Sequence, residues 1–571
     1  MTKPSFKEQM KGFPIWQIFV LGVVRFAEPI TFTSMFPYVF FMVRDFHIAP
    51  DEAHISKYCG YLSASFAFFQ FLCSIHLGRL ADVIGRKKVL MIGILGTTFS
   101  ILVFGFSTSF WMALFARSFM GAVNGNVAVI RTVLGEVATN PYHAPLAFST
   151  LPLLWQLGCV IGPMSGHLVK ISAEEYTRST YSYRLVSLVV QKSFLDSLVK
   201  KYPYCLPNLV VSVFLLFSLV FGALFLEETH HTLKDQRDYL LDIGDSIRNF
   251  LGFDVPQRPW RMPFKRGGSL MAVPSEADPL LGSTSNEEEI EGYHVSEDDL
   301  DDDDDDLDDE TTTVGKLYRT TSANIMRTFS NHSVDVSAEM RRNHESGYPW
   351  HVLLEGKTFN AITQNFILCF TAVVFDEFLP VFLAYDVARD EDGNLASKFP
   401  FLIAGGMGLN TPEIGTLLST TGVAGVLVVV FIYPWVDITF NRIKALQCCL
   451  ILTAVSYFAV PYLVFTIPPN LPQAISTTLL YSTNILKTLA SSLAFPQVIL
   501  LIHRASPREH SAFVNGTTLS LTALARALGP FIWGYVVSIS VNHEIVWLSW
   551  VLLAAVAFVG FYLSHSLKGL Q

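Results

Sequence analysis

The residues of this chain that can do chemistry are few, and they interrupt apolar stretches. Arg25 and Glu28 stand three apart in one such stretch, Arg117, Asn124 and Arg131 are spread along another, Asp376 and Glu377 are adjacent in a third, and Arg526 lies in a fourth. A charge at the middle of a membrane-crossing helix costs at least roughly 2.5–3.5 kcal/mol, so each of these residues needs a partner or a task. Guanidinium groups can hold an anionic solute or a neighbouring acid, and carboxylates withdrawn from water can take up and release protons. That is the chemistry of solute binding and proton coupling. Covalent catalysis has no comparable support, since no Ser/His/Asp set is recognisable, and ATP-driven transport has none, since the phosphate-cradling pattern G-x-x-x-x-G-K-[ST] is missing. The chain is read as a non-enzyme that needs no cofactor and no metal.

Spacing limits what these residues can do. Arg25 and Glu28 share one helix face and can neutralise each other, while the following Pro29 kinks the helix and frees the carbonyl of Arg25. A structural ion pair would need no further role. Asp376 and Glu377 diverge by about 100° on a helix, so at most one faces a given cavity. Asp376, Glu377 and Glu28 are the proton-coupling candidates, the alternative being that the adjacent pair lies at a solvated mouth. Arg25, Glu28, Arg117, Asn124, Arg131 and Arg526 are the substrate-cavity candidates. Arg117 can equally pair with Glu28, and Arg131 can reach along its stem to the cytoplasmic surface.

The elements that must position these side chains follow from composition. Of 571 residues, 51% are hydrophobic and only 16% charged, which excludes an ordinary soluble protein. The net charge of -9 hides a basic remainder, because Glu287 to Glu310 holds 16 acidic residues and no basic one. Apolar spans near the roughly 20 residues that cross a bilayer are placed at 15–41, 58–77, 88–108, 111–137, 145–169 and 208–226. A second set is placed at 359–385, 413–434, 443–466, 473–502, 510–539 and 545–565. Six plus six is the pattern of two pseudo-symmetric halves with a binding site between them. Lys and Arg cluster at Arg79 to Lys88, Arg442 and Lys444, and Arg504 and Arg508, which assigns those loops to the cytoplasm.

The most informative loop joins spans 2 and 3: Gly78-Arg79-Leu80-Ala81-Asp82-Val83-Ile84-Gly85-Arg86-Lys87-Lys88. Its glycines let two helix ends turn closely, and Asp82 needs a basic partner. Glu136, at the cytoplasmic end of span 4, is placed to pair with Arg86. Span 5 carries Gly158, Gly162, Pro163 and Gly166, glycines four apart that leave a smooth face for a neighbour. The loop resembles the G-x-L-a-D-r-x-G-r-k-x motif of the major facilitator superfamily. Arg117 to Gly121 resembles that family's R-x-x-x-G, and span 5 resembles its antiporter motif G-x-x-x-G-P-x-x-G-G, with His167 in place of the last glycine. The resemblance implies an all-α membrane protein of twelve transmembrane helices in two six-helix halves, working by alternating access. In it Gly78, Asp82, Gly85, Arg86, Lys87, Glu136, Gly158, Gly162, Pro163 and Gly166 form the conformational gate.

Phe36-Pro37-Tyr38, Met42 to Ile48, Lys201-Tyr202-Pro203-Tyr204 and Leu226-Glu227-Glu228-Thr229-His230 narrow the resemblance to the zinc-induced-facilitator-like drug:proton antiporters. Arg25-Phe26-Ala27-Glu28-Pro29 and the acidic linker are closer to fungal members. This implies antiport of small organic solutes or drugs at the vacuolar membrane, with the plasma membrane as the alternative. A uniporter, or a sensor signalling through its linker, are the rival readings. Three regions are expected: a first half at 1–226, a disordered acidic cytoplasmic linker at 227–349, and a second half at 350–571. Within the linker, Glu276-Ala277-Asp278-Pro279-Leu280-Leu281 fits an acidic dileucine, so Glu276, Leu280 and Leu281 are sorting candidates for an adaptor. Residues 170–207 are read as a surface amphipathic helix or a loop, and His230 as a solvated interfacial residue. The expected partners are the lipid bilayer, a small organic substrate, protons and that adaptor, with no nucleic acid; a monomer is expected.

Overall fold

A computed structural model describes residues 12–137, 143–169, 198, 200–230, 233–253, 255–258, 260, 350–391, 394–507 and 511–567. The dileucine, the acidic run and most of 170–207 lie outside the described residues. In a bilayer only a helix or closed barrel satisfies its own backbone, and the Leu-, Val- and Phe-rich stretches here are helical. The first set comprises α1 (Ile15–Thr33), α2 (Ile55–Ile84), α3 (Arg86–Gly105), α4 (Phe110–Val123), α5 (Asn126–Val137), α6 (Ala144–Ile161) and α7 (Cys205–Phe225). A further helix, α8 (Tyr239–Phe250), follows. The second set comprises α9 (Gly356–Ala384), α10 (Thr411–Leu427), α11 (Arg442–Ala459), α12 (Gln473–Ala505), α13 (Ser511–Asn542) and α14 (Trp547–Ser564). Among the described residues, nine helices are long and apolar enough to cross a bilayer, or ten with the bent α2 taken as one span; Phe110–Val123 and Leu153–Val169 are shorter apolar helices.

Three expectations are corrected. The span expected at 111–137 is two helices, broken at Asn124 (φ -94°, ψ 63°). Gln70 of α2 donates to the Asn124 carbonyl at 3.0 Å, which satisfies a group the break releases. A Cβ on the next residue, Gly125, would lie 2.6 Å from Leu77, so the gap is held open by helix-to-helix contact. The span at 145–169 is interrupted by a 3-10 turn, Gly162–Ser165, where Pro163 offers no N–H to continue the α-helix, and a short α-helical turn, Gly166–Val169, completes it. Finally, the linker is not disordered from its start. At 238–250 Asp238 caps α8 by accepting from the N–H groups of Leu240 and Leu241, and Arg258 clamps the segment through Asp245 (2.8 Å) and Glu227 (2.7 Å). Gly244 lies so close to the Leu224 carbonyl that a Cβ there would stand 2.0 Å away, which docks α8 on the end of α7.

The two helical bundles meet at the end away from the basic loop. Gly60 of α2 sits against the Pro530 carbonyl of α13, where a Cβ would come within 2.4 Å. Ser56 Oγ donates to the Gly534 carbonyl at 3.3 Å, and the Tyr61 and Tyr535 hydroxyls are hydrogen bonded. On the opposite flank Gly415 of α10 faces the Pro163 carbonyl, and Gly166 faces that of Thr411, each 2.5 Å from an added Cβ. Tyr385 donates to the Glu52 carbonyl at 3.2 Å, closing the same end. The buried apolar residues agree: one cluster runs through the first bundle and the end of the second that meets it, while the other end of the second has its own core around Leu446, Ala490, Val498 and Leu501.

Candidate functional site

Between the bundles, at mid-depth, α1, α2, α4, α5, α6, α9, α12 and α13 bring ionisable residues together. Arg25 Nη1 donates to Glu28 Oε2 within α1, and both are buried. Arg131 stands near enough to this pair for both charges to act on it, so it faces the interior. Arg526 is acted on by Glu28 and by Glu377. Arg117, only 1% exposed, has Glu377, Tyr38 and Arg526 as its charged or ionisable neighbours, and Glu28 is not among them. Its Nη1 contacts Met120 Sδ at 3.4 Å, while its Nε and Nη2 have no hydrogen-bond partner among the described residues.

Three of these arginines stand on three rings joined through Phe32. The guanidinium of Arg117 lies 4.8 Å from the Phe66 centroid, that of Arg526 lies 5.2 Å from Phe32, and that of Arg25 lies 5.8 Å from Trp155. Phe32 packs on Phe66 at 5.6 Å and on Trp155 at 5.9 Å. Each cation–π contact contributes about 0.5–2 kcal/mol, the higher figure where water is excluded. An aromatic face stabilises a cation without neutralising it.

The adjacent carboxylates of α9 part company as their helical geometry requires. Asp376 is 53% exposed along its side chain and accepts from Lys487 Nζ of α12, whose side chain is buried and lies over the Phe375 ring at 4.7 Å. Glu377 is 6% exposed. Its charged neighbours are Arg117, Arg526 and Asp376, with Ser63 within hydrogen-bonding reach, and its Oε2 has no partner among the described residues. Sequence spacing did not single out Lys487. A lone lysine in a long apolar helix was the available signal. Asn124 and Glu28 border a small cavity with Thr97 and Asn126, and the Asn124 Oδ1 has no partner among the described residues.

At the end of the first bundle that carries it, the basic loop forms a second cluster. Arg86 Nη2 bonds Asp82 at 3.0 Å and Glu136 at 3.1 Å, and its Nη1 donates to the Ala81 carbonyl. The Glu228 carboxylate accepts from the backbone N–H groups of Arg86 (2.9 Å) and Lys87 (3.1 Å), so an acid caps the first turn of α3, where the helix dipole favours it. Gly85, at φ +103°, is needed there, since a Cβ would sit 2.4 Å from that carboxylate. Lys87 Nζ reaches Asp238 at 2.6 Å, and Thr229 donates to Glu136. His230 is buried and bonds the Asp82 carbonyl at 2.9 Å, contrary to its reading as a solvated residue. Glu228, which sequence reasoning used only as a family signature, is the organising acid; all these partners belong to the first bundle and the segment after it. Of the other gate candidates, Gly158 and Gly162 pack on Pro29 and Thr33 of α1, and Gly166 meets the second bundle. Gly78 has open space around it.

The chain matches the Major Facilitator Superfamily over residues 21–267 and 365–568. It is 31% identical over 529 residues to the Major facilitator superfamily multidrug transporter mfsB of Aspergillus fumigatus, covering 92% of this chain and 79% of that protein. It is 32% identical over 244 residues to Protein ZINC INDUCED FACILITATOR-LIKE 1 of Arabidopsis thaliana, covering 42% of this chain and 48% of that one. Among solved structures, a bacterial homolog of the human lysosomal transporter Spinster, in an inward-facing and occupied conformation, superposes with a TM-score of 0.57 at 10% identity, covering 98% of each chain. The human organic anion transporter MFSD10 superposes with a TM-score of 0.51 at 14% identity, covering 96% of this chain and 99% of that one. At these identities the solved structures speak for the fold.

Proposed function

The chain belongs to the Major Facilitator Superfamily and is a multi-pass membrane transporter of small solutes, not an enzyme, and we propose that it is a proton-coupled antiporter of organic solutes. In this reading twelve helices, with α4 and α5 forming one crossing, make two six-helix halves that rock about the charged chamber. The arrangement described is the cytoplasm-facing state, closed at the outer end by the glycine contacts of α2 with α13 and of α6 with α10. The zinc-induced-facilitator-like group of drug:proton antiporters is the proposed branch, supported by the relative of that name and by the first-half motifs.

One observation carries the coupling proposal. Glu377 is buried with an oxygen that has no partner among the described residues, and the two guanidinium groups that act on it come from opposite bundles, Arg117 from the first and Arg526 from the second. When the halves move, the counter-charges of this acid must change, and a carboxylate whose counter-charges come and go can exchange a proton in step with the motion. Asp376 has Lys487 as a fixed partner, so Glu377 is assigned the proton, Glu28 the support of the chamber, and the Asp82, Arg86 and Glu136 cluster the latching of one state.

The test uses purified protein in liposomes with an imposed pH gradient. Solute accumulation should depend on the gradient. Glu377→Gln should abolish gradient-driven accumulation while solute exchange at equal pH persists. Full gradient dependence in that variant would move the role to Asp376 or Glu28, and flux indifferent to the gradient in the native protein would make it a uniporter. The vacuolar membrane is the proposed location, with the dileucine as its address: replacing Leu280 and Leu281 by Ala should send a tagged protein to the plasma membrane.

A further inference from the structure

We propose that the chamber is built to hold a small organic anion, its carboxylate or similar oxyanion on Arg117 and Arg526. This rests on the transporter reading above and names the class of solute that such a transporter would carry. The first support is charge balance. Arg25, Arg117, Arg131 and Arg526 share the interior with Glu28 and Glu377, while Asp376 and Lys487 cancel each other. Four guanidinium groups thus face two carboxylates, and one of those, Glu28, is already bonded to Arg25.

The second support is how the excess is held. Burying a cation without an acid is costly, and the usual remedy is another carboxylate. Here rings take that place: Phe66 lies under Arg117 and Phe32 under Arg526, while Arg25, already bonded to Glu28, has Trp155 beneath it as well. The rings lower the cost and leave the positive charge in place. A site meant for an organic cation would gain from the opposite arrangement, acids left unpaired beside aromatic faces.

The third support is the direction of unmet hydrogen bonding. Arg117, 1% exposed, keeps Nε and Nη2 without a partner, and Arg526 keeps Nη2, among the described residues. A guanidinium presents parallel N–H donors that match a carboxylate fork to fork. Glu377 is the protein's own acid in that region, and it acts on both guanidinium groups through its charge while leaving these donors unused. Trp155, half-buried, offers the solute's organic body an apolar surface. The solute's charged group therefore completes a pair that the fold leaves open.

The experiment gives liposomes carrying the full chain a cell metabolite extract and identifies by mass spectrometry what they accumulate against protein-free liposomes. Organic acids should be taken up and organic cations should not. For the acid accumulated most, Arg526→Gln should raise the half-saturating concentration about ten- to a hundredfold, the worth of a hydrogen bond between charged groups, and Arg526→Lys should recover part of it. Arg117→Gln should do the same where it folds; the Arg526 pair carries the test if it does not. Accumulation of cations or neutral compounds without acids would overturn the anion assignment and leave the transporter reading standing. If no solute of any charge moves, the transporter reading itself fails. Uptake of acids with unchanged affinity in both Arg526 variants would overturn the assignment of the site.

Discussion

α1 and α9 hold matching places as the first helix of each half, and each carries two ionisable residues just before a proline, yet they dispose of their charges in opposite ways. In α1 Arg25 and Glu28 sit three apart and pair within the helix, and Pro29 packs against Gly158. In α9 Asp376 and Glu377 are adjacent, cannot share a face, and are served by different helices: Asp376 by Lys487 of α12, Glu377 by Arg117 of α4 and Arg526 of α13. The in-helix pair is self-contained and keeps its partner whatever the rest of the molecule does. The α9 acids depend on neighbours, and one set of those neighbours is across the interface between halves. The α1 charges are paired within one helix, and the α9 acids are served from other helices.

The comparison can be broken most sharply at α1. Glu28→Gln leaves the Arg25 guanidinium buried without its acid, at a cost of about 3–5 kcal/mol, read as a lowered thermal midpoint of the solubilised protein. Arg25→Gln added to it should restore much of that, though not all, because Arg131 and Arg526 also feel Glu28. An unchanged midpoint in the single variant would mean that the pair is not self-contained.

At α9 the corresponding loss is smaller. Asp376→Asn strands Lys487, but Asp376 is half open to solvent, so about 1–3 kcal/mol is expected, below the cost for a closed pair. Adding Lys487→Met should return the midpoint, and Lys487→Met alone should be milder than Asp376→Asn because the acid can stay hydrated. The reverse order would show that Asp376 is the buried partner.

The smallest stability effects belong to the cytoplasmic cluster. Glu228→Gln removes a cap from the first turn of α3 and should cost about 0.3–1 kcal/mol. Asp82, 67% exposed, should be almost neutral for folding when changed to Asn. If the cluster latches one state, both variants should nonetheless slow transport far more than they lower the midpoint. Wild-type flux in a folded Asp82→Asn protein would reduce the cluster to a brace of the first bundle.

These contrasts follow the line between what was legible and what was not. The Arg25 and Glu28 pair was legible because both ends lie one turn apart on one helix, and so was the Arg86 cluster, where Asp82 is four residues away. The division of Asp376 from Glu377 was legible as geometry but not as identity: nothing within α9 names Lys487, which is 111 positions further on. The helix break at Asn124 was missed because an apolar run looks continuous until Gln70 and Leu77 of another helix are placed against it. α8 was missed because its neighbours in the chain are acidic and polar, and its order comes from the clamp between Asp245, Arg258 and Glu227.

By itself the sequence determined the membrane habit, most of the helical spans and the glycine faces, because each depends on hydrophobicity and spacing within one segment. The tertiary structure decided which buried charge answers which, that three arginines share a trio of rings, and which end of the molecule is closed. Those depend on distances between segments far apart in the chain, and electrostatic interaction at the chamber's low polarity is set by such distances and not by order along the chain.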